Sequence, residues 1–291
     1  MNEGPWIKVQ HEVHQDPFLR HRIIKRVETA LKARVVTFFV SFRNPDAMIM
    51  DDDAEMLESL LSVEHETGRL LLILSSPGGY ALAAERIVNV CRAYSKGRFE
   101  VAVPHMAKSA ATMICFGAQK IHMSVTAELG PVDPQVTYHD DNKTARWISA
   151  EEYVRAYEQL MLNATNGQAK RIEPYLQQLQ RFDARQIESL KSAQTLSKDI
   201  SLRLLKTGMM QGKSDREILK GIQVFLSQEA TSSHGRMISG SEAKSCGLNV
   251  NIIDLHSPLW NDLWELYVRG DWYVTHKCRK MMESASSSVR Q

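Results

Sequence analysis

Residues 70–95 read LLLILSSPGGYALAAERIVNVCRAYS. Leu70 to Ser75 is an almost unbroken apolar run and reads as a buried strand. A tight turn follows at SPGG. Pro77 presets one backbone angle there. Gly78 and Gly79 open conformations closed to other residues and let a neighbouring chain come close. Residues 81–95 then read as a helix. One strand, one glycine turn and one helix make the unit from which the fold is read.

The unit recurs on both sides. Upstream, residues 21–33 carry apolar residues at helical spacing, and Val35 to Phe42 is β-branched and aromatic, as in a buried strand. Residues 51–67 form a helical stripe opened by acids; Asp51, Asp52 or Asp53 is expected to cap it. Downstream, FEVAV at 99–103 reads as a strand, 109–118 as a helix and KIHMS at 120–124 as a short strand. This alternation argues for an α/β fold with a mostly parallel sheet. Strands that are hydrophobic throughout fit a sheet covered on both faces.

Around that body the chain changes character. Residues 1–20 read as an irregular arm, and 137–149 as a polar loop. From 150 to about 228 the pattern is helical, broken near Gly167, Pro174, Gly208 and Gly212. Residues 236–254 read as a short strand, a helix closed by Gly247 and a last strand. Residues 258–291 hold Trp260, Trp264 and Trp272, then a serine-rich end expected to be disordered. The expected organisation is an arm (1–20), a body (21–254) with a helical insertion at about 150–228, and a C-terminal extension (255–291).

Composition narrows the class. The 291 residues are 43% hydrophobic and 24% charged, enough for a large core. The net charge is +2 with no long basic stripe, so no electrostatic case exists for nucleic acid. Cys91, Cys115, Cys246 and Cys278 form no C-x-x-C pair and read as reduced thiols of a cytoplasmic protein. The polar N-terminus lacks the pattern of a signal peptide. The longest apolar runs, VVTFFV and LLLIL, fall far short of the ~20 residues of a membrane span. A soluble, cytoplasmic chain is expected. His11 and His14 have no companion acids or cysteines, so no metal is expected.

In α/β sheets, sites form where strand ends meet helix starts. Two junctions stand out. At SSPGGY the N–H groups of Gly78 and Gly79 open a helix and are candidate oxyanion donors; a plain tight turn is the alternative. At PHMAKSAATM, residues 104–113, Ser109 sits at a helix start, where its hydroxyl feels the helix dipole. The Ala110 N–H would join Gly79 there. The alternative is that Ser109 only caps the helix. Adjacent parallel strands would bring both loops to one end of the sheet.

Three segments in order, LILSSPGGYALAAERI, VPHMAKSAATMICFGAQKIHMS and AELGPVDPQ, resemble the group of the Clp protease proteolytic subunit and signal peptide peptidase A, within the crotonase-like fold. The nearest resemblance is to the serine dehydrogenase proteinase family, and HGRMISGSEAKSCGLNV is similar to that group as well. The resemblance implies repeated β-β-α units with a mostly parallel sheet. It also implies a serine peptidase, a peptide or protein substrate, no cofactor and a homo-oligomer. Ser109 matches the nucleophile, Gly78 and Gly79 the oxyanion loop, and Ala110 supplies the next N–H. Gly130, Pro131 and Asp133 would lie beside the peptide groove. One departure is the SAAT sequence at 109–112, where relatives often carry a glycine soon after the serine.

A serine hydroxyl needs a group to take its proton. AELGPVDPQ has no histidine where the Clp subunit has one, so the resemblance turns to a lysine. Lys143, in DDNKTARWISAEEY, is the first candidate. Its neighbours Asp140 and Asp141 would raise its pKa, the wrong direction for a base. Lys170 and Lys198 are alternatives, and His234 in SSHGRMISG is another. His105 and His122 read as structural, and Lys108 as pointing away from the hydroxyl. Two other readings stay open: a binding or assembly protein with a disabled site, and a crotonase-type enzyme for acyl-CoA.

Overall fold

The computed structural model describes residues 4–12, 16–63, 68–139, 145–165, 171–227 and 236–291. Two helices come first, α1 (Pro5–His11) and α2 (Pro17–Leu31). The alternating body follows: β1 (Arg34–Val40), α3 (Asp51–Ser62), β2 (Leu70–Ser75), α4 (Ala81–Tyr94), β3 (Phe99–Val103), β4 (Met106–Ala107), α5 (Ala110–Gly117), β5 (Lys120–Met123) and β6 (Glu128–Leu129). Next come β7 (Gln135–His139), β8 (Ala145–Ser149), α6 (Ala150–Thr165), α7 (Glu173–Leu179), α8 (Ala184–Lys206), α9 (Asp215–Gly221) and α10 (Gln223–Leu226). The chain closes with β9 (Ile238–Ser239), α11 (Gly240–Ser245), β10 (Val250–Ile252), α12 (Pro258–His276), β11 (Lys280–Glu283) and β12 (Ser288–Arg290).

The main sheet runs β10-β5-β3-β2-β1-β11-β12. Its first five strands are parallel; β11 and β12 add antiparallel at the β1 edge. The fold is therefore α/β with a largely parallel sheet and a helical region. Successive side chains of a strand point to opposite faces, and here both faces are covered. Val36, Phe38, Leu72, Leu74 and Val101 pack on one side with Leu57, Ile87, Ile114 and Leu204 of α3, α4, α5 and α8. Val35, Phe39, Leu71 and Ile73 pack on the other with Ile24, Val27, Leu263 and Tyr267 of α2 and α12. Each such side chain contributes about 1.5–3 kcal/mol by leaving water. A small second sheet, β4-β6-β9, joins the segments that follow β3, β5 and the helical region.

Four expectations change. The arm is not irregular throughout: residues 5–11 are helical, and α2 starts at Pro17, with Asp16 accepting the Phe18 N–H at 2.9 Å. Of the three candidate acids Asp53 does cap α3, but from inside it: the acids at 51–53 fill the first turn and do not precede it. The helix begins after Met50, and Asp53 reaches back to the Met50 N–H. Residues 137–139 and 145–149, within the expected loop, lie on two paired antiparallel strands in which Gln135 faces Ser149 and His139 faces Ala145. A two-stranded ribbon outside the main sheet does not need the apolar runs by which the other strands were read.

The C-terminal extension adds β11 and β12 to the main sheet, and the serine-rich end, expected to be disordered, forms the turn and last strand of that hairpin. Met281 and Met282 are buried, and Gln291 exchanges backbone hydrogen bonds with Lys280. Arg20 of α2 grips Glu283 through two hydrogen bonds of 2.7 and 2.9 Å, with both side chains buried. Among the described residues, no helix is long and apolar enough to cross a membrane.

Candidate active site

Ser109 occupies the turn between β4 and α5. Its φ is 51° and ψ is −120°, a left-handed backbone conformation that costs a non-glycine residue about 1–3 kcal/mol. It stands at the N-cap of α5, yet its side chain makes no capping hydrogen bond. Its hydroxyl has no partner among the described residues. The plain helix-cap alternative therefore fails here. The sharp strand-to-helix turn holds a half-buried hydroxyl at the positive end of a helix whose every residue is buried.

The SPGG turn meets this serine directly. A Cβ on Gly78 would stand 2.7 Å from the Ser109 Cβ and 3.3 Å from the Ala110 nitrogen. Both glycines have positive φ, 115° and 153°. The two junctions are stitched through Ser76, whose N–H donates to Met106 and whose carbonyl accepts the Lys108 N–H, at 3.1 and 3.0 Å.

The orientation of each N–H follows from the backbone bonds around it. Gly78 donates its N–H to the Ser76 hydroxyl at 3.1 Å. Residue 49 passes beside the turn: the Ile49 N–H donates to the Gly78 carbonyl at 2.7 Å, and the Ile49 carbonyl accepts the Tyr80 N–H at 2.9 Å. A parallel bridge of this kind uses the groups flanking Gly79 and leaves its own N–H pointing away from Ile49. Ala110, first residue of α5, has no earlier turn to donate to. Gly79 and Ala110 thus carry two uncommitted N–H groups among the described residues, on the two loops that meet at Ser109.

The segment after β5 backs this turn. Thr112 lies one turn into α5, and its hydroxyl reaches the Ala107 and Gly130 carbonyls at 2.8 and 2.9 Å. The Gly130 N–H returns a bond to it at 3.2 Å. Lys108 points away from the serine, onto Glu128 at 2.5 Å and the Leu129 carbonyl at 3.3 Å. Gly130, Pro131 and Asp133 are all buried. Asp133 also lines a cleft of about 500 Å³ between α6 and α8, together with Glu151, Arg155 and Lys198. Lys198 is exposed on that cleft, whose lining does not include Ser109. Lys143, Lys170 and His234 lie outside the described residues.

The two flanking histidines serve the scaffold. His105 stacks on Tyr267 with centroids 4.9 Å apart, and its Nδ1 shares a 2.9 Å hydrogen bond with the Tyr267 hydroxyl. Burial pulls its pKa down. His122 lies 2.6 Å from Glu100, which Arg69 also holds at 2.6 Å. Burial pushes the Glu100 carboxyl up, but these two partners hold it down at about 2.

Ile49, Ser76 and Thr112 were not singled out from the sequence. Ile49 carries no chemical signal, since only its backbone acts. Thr112, a hydroxyl one turn after Ser109 in an otherwise apolar helix, was the one readable clue.

Residues 4–152, about half of the chain, match the sequence family described as ClpP-like SDH-type serine proteinase. Two uncharacterized proteins of Methanocaldococcus jannaschii are similar. MJ1495 is 29% identical over 138 residues, 43% of this chain and 47% of its own length. MJ0137 is 31% identical over 115 residues, 40% of each. The matched part spans less than half of either relative. Among solved structures, a ClpP1 mutant from Listeria monocytogenes aligns with a TM-score of 0.42 at 15% identity, over 80% of this chain and 99% of that one. A mutant of the membrane-bound stomatin-specific protease 1510-N in complex with a substrate peptide aligns with a TM-score of 0.29 at 15% identity, over 76% and 93%.

Proposed function

This chain belongs to the ClpP-like SDH-type serine proteinase family, and on that premise we propose that it hydrolyses peptide bonds through Ser109. The observation that carries the reading is the contact of the two loops. Gly78 packs against Ser109, and the residues that follow each of them, Gly79 and Ala110, carry N–H groups uncommitted among the described residues.

In this reading the Ser109 hydroxyl attacks a peptide carbonyl while a base takes its proton. The carbonyl oxygen becomes an oxyanion, which the Gly79 and Ala110 N–H groups receive; Gly78 shapes the loop. Collapse breaks the C–N bond, and the proton passes to the leaving amine. Water then releases the acyl group from Ser109 by the same steps. Lys143 is the first choice of base, with His234, Lys170 and Lys198 as alternatives. A lysine would need a site dry enough to lower its pKa. Gly130, Pro131 and Asp133 would border the peptide, Gly130 through the backbone that Thr112 holds.

The finer expectations belong to the same proposal: crotonase-like repeated units, a body at 21–254 with its helical insertion, a homo-oligomer, a cytoplasmic place, and no metal or nucleotide in the chemical step. The experiment is cleavage of a mixed peptide library read by mass spectrometry. New termini should appear with wild type and vanish with Ser109→Ala. Equal cleavage by both would sink the assignment.

A further inference from the structure

Asp53, the third residue of α3, is fully buried. Its Oδ2 accepts the Met50 N–H at 2.7 Å. Its Oδ1 lies 2.8 Å from Nζ of Lys280 on β11, and the two side chains are 0% and 4% exposed. Burial pushes the Asp53 carboxyl above its ordinary range, and Lys280 and the Met50 N–H pull it back. Taking two charges this far out of water is costly. Hydrophobic residues of similar size would often serve stability as well or better. The pair therefore calls for a role beyond stability.

The backbone supplies one. Met50 continues from Ile49, the residue that grips the Gly78 carbonyl and the Tyr80 N–H. The fit there is so close that a Cβ on Gly79 would collide with the Ile49 backbone. Contacts thus run unbroken from Lys280 through Asp53, Met50 and Ile49 to Gly79. Gln291, paired through its backbone with Lys280, ties to the same turn by donating to Asp52 at 2.6 Å.

We infer that Asp53 and Lys280 are positioning residues for the oxyanion loop. The Asp53 oxygen holds the Met50 N–H, Lys280 makes that buried carboxylate tolerable and orients it, and the strap at 49–50 so held sets where the Gly79 N–H points. The inference rests on the proposed role of Gly79 and adds the C-terminal hairpin to the site's machinery.

Two double variants separate this from a merely structural role. Lys280→Met with Asp53→Asn removes both charges but keeps an oxygen for the Met50 N–H. Lys280→Met with Asp53→Leu removes the charges and the oxygen together. Each is followed by melting, by hydrogen–deuterium exchange over residues 76–82, and by the rate at which a fluorophosphonate labels Ser109. The asparagine pair, which keeps the oxygen but loses the lysine that orients it, should label more slowly than wild type and well ahead of the leucine pair. The leucine pair should still melt cooperatively, exchange faster over 76–82, and label about 10²-fold more slowly.

Wild-type labelling and unchanged exchange in the leucine pair would overturn the inference. If the leucine pair does not fold, Lys280→Met with Asp53→Ala takes its place with the same two readings. If wild type itself does not label, the proposed function falls, and exchange over 76–82 alone decides the inference.

Discussion

Gly78 and Ser109 touch backbone to side chain. A Cβ added to Gly78 would stand 2.7 Å from the Ser109 Cβ and 2.9 Å from the Lys108 carbonyl. The turn and the serine form one surface, and nothing larger than hydrogen fits between them.

Gly78→Ala should therefore displace the serine turn and slow fluorophosphonate labelling by about 10²-fold. Gly97→Ala is the control. Gly97 also has positive φ, 78°, but nothing lies within 4 Å of its added Cβ. It should lose some stability and keep its labelling rate. Equal rates in the two variants would show that the contact does not matter.

The strained backbone of Ser109 makes a stability prediction. Ser109→Ala keeps the positive φ, whereas Ser109→Gly relieves it. Even after the entropy cost of glycine, Ser109→Gly should be more stable than Ser109→Ala by about 1 kcal/mol. Urea titration checks the order of the two midpoints.

Thr112→Val keeps the shape of the side chain and removes its hydroxyl. The Gly130 N–H and carbonyl are then buried without that partner, at a cost of about 1–3 kcal/mol. A lowered urea midpoint is expected. An unchanged midpoint would mean that the Thr112–Gly130 bonds add nothing to stability.

Glu100 predicts an acid limb. Its carboxyl is held at about 2 in the folded chain against an ordinary 4.5. A depressed acid contributes stability that is present above the ordinary value and lost as pH falls toward the folded one. Stability should decline between these two values, and Glu100→Gln should flatten that decline. A wild-type slope in the variant would contradict this.

The proton acceptor is separable by kinetics. Lys143→Met should reduce labelling by about 10²–10⁴-fold, with His234→Ala near wild type. The reverse pattern would move the role to His234.

How much of this was legible follows from where the information lies. Leu70–Ser75 and Phe99–Val103 were read to the residue, because burial on both faces leaves a mostly apolar run, broken only by Glu100 and ended by Ser75. The two loops were legible as local patterns, glycines after one strand and a serine after the next. Their meeting followed from parallel pairing of β2 with β3. The Ile49 strap and the Asp53–Lys280 pair were not legible, since they join distant segments and leave no periodic trace. Ser284 to Ser288 looked like a frayed end, but the apolar pair Met281–Met282 before it anchors the hairpin in the sheet. The bases proposed from sequence, Lys143, Lys170 and His234, lie outside the described residues, and Lys198 faces another cleft.

The most direct measurement is intact mass after incubation with a fluorophosphonate. Wild type should gain the mass of one phosphonyl adduct, located at Ser109 by fragmentation, and Ser109→Ala should gain none. An unlabelled wild type, or equal labelling of Ser109→Ala, would contradict the assignment of Ser109 as the nucleophile.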